Sequence, residues 1–155
     1  MPPGATLDFW SDWLDRAGTL HPDVVLLPEL FDGSTPATPS APDGPMATLL
    51  AAKAAQWGMY TCGAFYQERD GLVYNTAPLY GRTGILVGAY DKVMPFDPEL
   101  DAGVVPGGPP PTWTTDFGRV GILTCYDAWF PETARCLAVQ GANWSCCPTM
   151  ATGWK

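Results

Sequence analysis

The sequence predicts an α/β fold in which mixed β-sheets are flanked by helices. Three observations support this prediction: stretches of helical periodicity alternate with short apolar runs near both ends, hairpin signals lie between them, and the composition is globular. The chain has 155 residues, of which 46% are hydrophobic and 15% are charged. A chain of this length can bury one core but is short for two, so we expect residues 1–155 to form one domain.

The first third of the chain predicts two helices with a strand between them. Apolar residues recur at helical spacing over residues 7–17, and Gly18 follows as a stop signal. The apolar run over residues 24–27 is typical of a buried parallel strand. Residues 32–45 are rich in Pro, Ser, Thr and Gly and predict a loop, whereas the Ala- and Leu-rich stretch 46–57 predicts a second helix.

The middle of the chain predicts consecutive strands. Arg69-Asp70-Gly71 is a hairpin signal between strands predicted over residues 59–67 and 72–80. A turn at Gly81-Arg82-Thr83-Gly84 leads into a further strand over residues 85–90. These hairpins, combined with the parallel strand before them, predict a mixed sheet.

The last third returns to alternating strands and helices. Residues 97–111 are rich in Pro and Gly and predict a loop. Two strands are predicted over residues 113–117 and 120–124, followed by a helix over residues 131–140. An apolar strand near residues 144–147 completes the pattern.

Charge and hydropathy exclude some classes of partner. The net charge of −8 argues against nucleic acid or an anionic membrane surface, because both attract cationic patches. No stretch approaches a membrane span, and the start, Met1-Pro2-Pro3-Gly4, lacks the features of a signal peptide. We therefore expect a cytoplasmic protein.

The cysteines do not form a recognisable framework. The five of them are Cys62, Cys125, Cys136, Cys146 and Cys147. An odd number without regular spacing is a poor disulfide pattern, and His21, the only histidine, makes a structural zinc site unfavourable. A catalytic Cys–His pair is equally unsupported, because no motif accompanies His21. Reduced thiols and no metal are the expectation.

Cys125 lies where the strand predicted over residues 120–124 meets Tyr126-Asp127 and the helix that follows. A sulfur at such a turn lies near the positive end of a helix dipole and near unpaired backbone N–H groups. That environment favours a thiolate and supplies donors for an oxyanion, so Cys125 is a candidate nucleophile. The alternative is a small buried hydrophobic side chain, as most free cysteines are.

Two further polar residues lie at strand ends. Glu29 closes the first predicted strand, where open α/β sheets place their ligands, and a partly desolvated carboxylate suits general-base work. Lys92 follows the strand over residues 85–90 and is a candidate clamp for a developing oxyanion. A solvated strand-end side chain is the alternative for both. Glu99 is by itself an ordinary acidic loop residue.

Taken together, three segments resemble the nitrilase (carbon–nitrogen hydrolase) superfamily, whose catalytic Glu, Lys and Cys occur in this order. The segments are Pro28-Glu29-Leu30-Phe31, Tyr90-Asp91-Lys92-Val93-Met94-Pro95-Phe96, and Cys125-Tyr126-Asp127 with Phe130-Pro131-Glu132. The resemblance implies a four-layer α-β-β-α sandwich. Because the family's chains are considerably longer, it also implies that N- and C-terminal elements are missing and that this sequence is a truncated member.

The resemblance also implies a role for each residue. Cys125 matches the nucleophile, Glu29 the general base and Lys92 the stabiliser of the tetrahedral intermediate. Glu99 is similar to a second family glutamate that orients the substrate and the lysine. The backbone N–H of Tyr126 matches the partner of Lys92 at the oxyanion. No metal or organic cofactor is required.

The implied activity is hydrolysis of a small amide, nitrile or N-carbamoyl compound through a thioester, with ammonia or an amine released. An aliphatic amide is weakly favoured over a nitrile. The alternative is a non-catalytic remnant that acts as a binding or assembly module. An acyltransferase of the same family that works at membranes would need spans that the sequence lacks. Many family members form homo-oligomers, so self-association is a further expectation.

Overall fold

A computed structural model describes residues 7–150 of the protein. Helices and strands alternate as the sequence predicts, with most boundaries within two residues of the predicted ones. In chain order the elements are α1 (Leu7–Gly18), β1 (Val24–Glu29), α2 (Pro45–Trp57), β2 (Tyr60–Arg69), β3 (Leu72–Tyr80), β4 (Leu86–Asp91), α3 (Asp97–Asp101), β5 (Thr112–Thr115), β6 (Gly118–Ile122), a 3₁₀ turn (Cys125–Trp129), α4 (Pro131–Val139) and β7 (Trp144–Cys146).

The strands form two mixed sheets. The first sheet has the order β1-β2-β3-β4, and the second has the order β5-β6-β7. In the first, β1 runs parallel to β2, and β2, β3 and β4 are successively antiparallel. β1 and β4 therefore run in the same direction, and their carboxyl ends lie at the same end of that sheet. In the second, β6 is antiparallel to β5 and parallel to β7.

The helices α1 and α2 cover the outer face of the first sheet. Their apolar side chains pack with those of the sheet into one core, whose largest fully buried members are Leu14, Phe31, Leu50, Met59 and Phe65. Burying a side chain of this size stabilises the fold by roughly 1.5–3 kcal/mol. The turn after α2 explains its end, because Gly58 adopts φ +61°, a conformation that favours glycine.

A second core lies between the two sheets. It joins Cys62, Leu79 and Tyr90 of the first sheet to Ile122 of the second. On the other side of β6, a Cβ atom at Gly121 would lie 2.6 Å from the Leu137 side chain, so α4 packs directly on this strand. The layers are thus helices, sheet, sheet and helix, which confirms the predicted α-β-β-α arrangement.

One local prediction was wrong. The predicted loop over residues 97–111 begins with the short helix α3, which forms because the Glu99 side chain accepts the backbone N–H of Phe96 at 2.7 Å. The helix predicted over residues 131–140 is confirmed as α4, and the structure adds a separate 3₁₀ turn between Cys125 and its start at Pro131. The expectation that N- and C-terminal family elements are missing concerns the two ends of the chain, where residues 1–6 and 151–155 lie outside the described residues.

The helices of residues 7–150 include none with the length and apolar character needed to span a bilayer. The five cysteines are all free thiols. His21 is exposed in the turn between α1 and β1.

Candidate active site

The three candidate catalytic residues, Glu29, Lys92 and Cys125, line one cavity of about 770 Å³. Glu29 is the last residue of β1, and Lys92 directly follows β4, so both lie at the same edge of the first sheet. Cys125 lies just beyond the end of β6 in the second sheet. The cavity therefore lies where the ends of both sheets meet, the place where open α/β sheets hold their ligands.

Lys92 is held between two carboxylates. Its Nζ donates to Glu29 Oε1 at 2.9 Å and to Glu99 Oε2 at 2.7 Å. The side chains of Lys92 and Glu29 are each only 2% exposed. The structure thus brings Glu99, an unremarkable loop residue in the sequence, directly to the candidate lysine, as the family resemblance implies.

The charges of this cluster stabilise one another. Burial lowers the pKa of Lys92, but Glu29 and Glu99 raise it by more, so its pKa lies above the usual value. Burial likewise raises the pKa of Glu99, but its bond to Lys92 and further hydrogen bonds lower it below the usual value. Lys92 is therefore an ammonium and Glu99 a carboxylate at neutral pH.

Asn75 connects the two glutamates and was not predicted as a site residue. Its Nδ2 donates to Glu29 Oε1 and to Glu99 Oε1, both at 2.8 Å. Tyr66, on the neighbouring strand, donates its hydroxyl to Glu99 Oε1 at 3.0 Å. A polar residue inside an otherwise buried strand is the sequence signal that marks Asn75, because buried polar groups need partners.

Cys125 has a constrained backbone. Its φ is +46°, a left-handed conformation that is uncommon for a residue with a side chain and is concentrated at functional sites. Its N–H donates to Pro148 O at 2.9 Å, and the N–H of Glu29 donates to Thr149 O at 3.3 Å. The adjacent carbonyls of residues 148 and 149 therefore hold the backbone at Glu29 and the backbone at Cys125 close to each other.

The Cys125 thiol is not the activated thiolate that the sequence predicts. Burial raises its pKa above the usual value, and the charge of Glu29 and a hydrogen bond to it raise it further. The bonds from Asn75 and Lys92 both end on Glu29 Oε1, which leaves Oε2 for the thiol proton. The site therefore pairs a neutral thiol with a carboxylate base, because the nearest charge to the sulfur is negative and the α4 terminus lies further along the chain.

Asp127 is a second residue that the sequence analysis did not select. It is fully buried, and its Oδ2 accepts the Tyr90 hydroxyl and the Thr124 N–H, both at 2.7 Å. Its Oδ1 accepts the N–H of Met94 at 2.8 Å. Burial raises the pKa of Asp127 despite these bonds. One carboxyl group thus connects the turn that carries Cys125 to the loop that follows Lys92.

Aromatic rings form one wall of the cavity. Tyr126 makes edge-to-face contacts with Phe96 and Phe130, with ring centroids 5.3 and 5.2 Å apart, and lies 6.3 Å from Trp129. Phe96, Tyr126 and Trp129 all line the cavity. The family resemblance implies a role for the backbone N–H of Tyr126, and in the structure its ring is part of this wall.

The other titratable groups do not form a competing site. Within residues 7–150, no three His, Cys, Asp or Glu side chains are grouped so that they could hold a metal ion. Neither His21 nor Cys136 lines the cavity that contains Cys125. The chemistry available to this cavity is therefore that of a thiol, a carboxylate and an ammonium held together.

Comparison with known families agrees with this geometry. The sequence profile described as carbon-nitrogen hydrolase matches residues 4–154. A hydrolase of Pseudomonas protegens is 35% identical over 138 residues, which cover 82% of this chain and 48% of the relative. A human omega-amidase is 29% identical over 145 residues, covering 84% and 52%. The chain spans about half the length of the curated relatives that it matches.

Solved structures share the fold. The amidase from Nesterenkonia sp. AN1, in a mutant with acrylamide added to its active-site cysteine, has a TM-score of 0.84 and 31% identity, covering 95% of this chain and 61% of the amidase. A carbon-nitrogen hydrolase from Helicobacter pylori G27 has a TM-score of 0.80 and 25% identity, covering 93% and 54%.

Proposed function

The chain belongs to the carbon–nitrogen hydrolase family, and on that premise we propose that it hydrolyses the C–N bond of an amide through Cys125. Glu29 acts as the base, and Lys92 stabilises the intermediate. The observation that carries the proposal is the convergence of a thiol, a buried carboxylate and a doubly paired ammonium on one cavity. Omega-amidases among the relatives and an amidase among the solved structures support an amide, and nitrilases occur among the relatives as well.

The first half of the reaction forms a thioester. Glu29 takes the thiol proton as the sulfur attacks the carbonyl carbon, because a thiol with a raised pKa needs a base at the moment of attack. The carbonyl oxygen becomes an oxyanion, which the Lys92 ammonium and the backbone N–H of Tyr126 stabilise. Glu29 then gives the proton to the leaving nitrogen, the C–N bond breaks, and ammonia or an amine departs.

The second half returns the enzyme to its starting state. Glu29 takes a proton from water, and the resulting nucleophile attacks the thioester carbon. The same donors stabilise the second oxyanion. The C–S bond breaks, the sulfur regains the proton from Glu29, and the carboxylic acid is released. No metal or organic cofactor enters these steps.

Glu99 and Tyr126 orient the reacting groups in this proposal. Glu99 fixes the Lys92 ammonium from the side opposite Glu29 and is itself fixed by the hydroxyl of Tyr66 and the amide of Asn75. An ammonium held by two carboxylates is positioned before the oxyanion forms, so little reorganisation is needed during the reaction.

The test is ammonia release from propanamide by purified protein, compared between Cys125→Ala and Cys136→Ala. Cys136 is a partly buried thiol on α4 outside the cavity, which makes it the matched control. We expect Cys125→Ala to lower kcat/KM by about 10³-fold or more, because removal of a nucleophile disables the whole catalytic group. Cys136→Ala should retain the activity. Equal activity in the two variants would overturn the mechanism.

A further inference from the structure

The cavity is much more apolar than the chemistry at its base requires. Away from the reacting groups, its walls are built from Pro36, Phe96, Ala102, Tyr126, Trp129 and Met150. Its volume of about 770 Å³ lies within the roughly 300–1,000 Å³ that is typical of sites for drug-sized ligands. A small aliphatic amide would fill only the part nearest Cys125, so the remaining space is available to a larger apolar group.

The charges in the cavity disfavour a second carboxylate on the substrate. Among the described residues, Lys92 is the cation that lines the cavity, and both of its bonds to carboxylates are already formed. Within residues 7–150, a carboxylate on the acyl group would face Glu29 and Glu99 with no further cation lining the cavity to pair with it. Like charges at short range in a desolvated site are unfavourable, so an anionic acyl group is selected against.

The carboxylates of the cluster are also poor partners for a cationic acyl group. Both oxygens of Glu99 already accept two donors each, from Tyr66 and Asn75 on one side and from Lys92 and Phe96 on the other. Glu29 Oε1 accepts from Asn75 and Lys92, and the Glu29 carboxylate is also hydrogen-bonded to the Cys125 thiol. No carboxylate oxygen of the cluster is therefore left over to receive an ammonium from the substrate.

The aromatic wall offers a surface of the right chemistry for a ring. Phe96 is 50% exposed and Trp129 is 72% exposed, although both line the cavity. Edge-to-face and offset contacts between aromatic rings add to the free energy gained from apolar burial. Trp129 belongs to the same 3₁₀ turn as Cys125, so a ring bound against it lies close to the nucleophile.

From these observations we infer that the preferred substrate is an amide of an uncharged acid whose acyl group carries an aromatic ring or a comparable apolar body. The inference rests on the proposed function and narrows it from amides in general to one class. It predicts discrimination against amides of the same length that carry a second carboxylate or an ammonium.

The experiment compares four primary amides by the kcat/KM of ammonia release: 3-phenylpropanamide, propanamide, succinamate and 3-aminopropanamide. We expect 3-phenylpropanamide to be the best substrate and to exceed succinamate by about 10²-fold, the discrimination that apolar pockets commonly reach. Trp129→Ala should lower kcat/KM more for 3-phenylpropanamide than for propanamide. Val139→Ala changes an exposed side chain on α4 outside the cavity and should change none of the four values.

The outcomes separate this inference from the proposed function. Release of ammonia with succinamate or 3-aminopropanamide preferred would overturn the inference and leave amide hydrolysis intact. If none of the four amides released ammonia, the proposed function would fail. The inference would still be tested by protection, since 3-phenylpropanamide should slow iodoacetamide labelling of Cys125 more than succinamate does. Equal protection by the two would overturn it.

Discussion

The two sheets contribute unequally to the fold and equally to the candidate site. The first sheet has four strands, with β2 and β3 of ten and nine residues, and two helices cover its outer face. Within residues 7–150, the second has three strands of three to five residues and one covering helix, with Trp144 60% exposed on β7 and Val139 79% exposed on α4. Yet Glu29 and Lys92 lie at strand ends of the first sheet, and Cys125 lies just beyond a strand of the second.

The base and the nucleophile therefore rest on supports of different strength. The charged cluster of Glu29, Lys92, Asn75 and Glu99 lies on the first sheet and the loop that follows it. The nucleophile is held by a short strand, a 3₁₀ turn and the bonds of Asp127. Changes to the first sheet should therefore affect stability and chemistry together, whereas changes to the second should affect chemistry at a smaller cost in stability.

The largest effect is expected for Lys92→Met. Removal of the ammonium leaves two buried carboxylates facing each other, and breaking a buried ion pair in this way costs about 3–5 kcal/mol in the free energy of unfolding. Urea unfolding of the wild-type protein and the variant measures this loss in the free energy of unfolding. Lys53→Met is the matched control, because Lys53 is also buried and its ion pair among the described residues is with Asp15, whose side chain is 37% exposed. An equal cost for the two lysines would contradict this account of the cluster.

The next prediction compares the helical layer on the first sheet with the helical layer on the second sheet. Leu50→Ala opens a void in the closed core between α2 and the first sheet and should cost about 3–4 kcal/mol. Leu137→Ala should cost less, about 2–3 kcal/mol, because Leu137 borders an open groove beside α4 into which the structure can relax. Val139→Ala, at an exposed position, is the reference. A larger cost at Leu137 would reverse the comparison of the two layers.

The sharpest change in chemistry is expected for Glu29→Gln, which keeps the shape of the side chain and leaves Lys92 paired with Glu99. The charge of Glu29 contributes to the raised pKa of Cys125, so its removal should move the pH midpoint of iodoacetamide labelling of Cys125 downward. Labelling at neutral pH then becomes faster, while amide hydrolysis becomes slower because the base is lost. Labelling of Cys136 in the same samples is the internal reference. An upward shift of the midpoint would show that Glu29 does not control the thiol.

Much of this fold could be predicted because its signals are local. The helix stop at Gly18, the hairpin at Arg69-Asp70-Gly71 and the apolar run of β1 each depend on a few neighbouring residues. The order of Glu29, Lys92 and Cys125 could likewise be read from short segments. Each of these features is encoded by residues close in sequence, so a pattern of neighbours is sufficient to find it.

The rest depends on contacts between distant residues. Asn75 matters because its amide reaches Glu29, 46 residues earlier in the chain, and no local pattern encodes that distance. The pKa of Cys125 was predicted in the wrong direction for the same reason, since the sequence shows the turn but not the carboxylate beside it. The helix α3 was missed because its start depends on one side chain, Glu99, folding back onto the backbone of Phe96.

The two neighbouring carbonyls of residues 148 and 149 have a consequence for the order in which the site assembles during synthesis. Synthesis proceeds from the N-terminus, and early segments begin to fold before later ones are available. Glu29 and Lys92 can pair on the ribosome long before Thr149 emerges to accept the Glu29 N–H and Pro148 to accept the Cys125 N–H. The Glu29–Lys92 pair can therefore form first, and the thiol is brought into position beside it only once residues 148 and 149 have been synthesised.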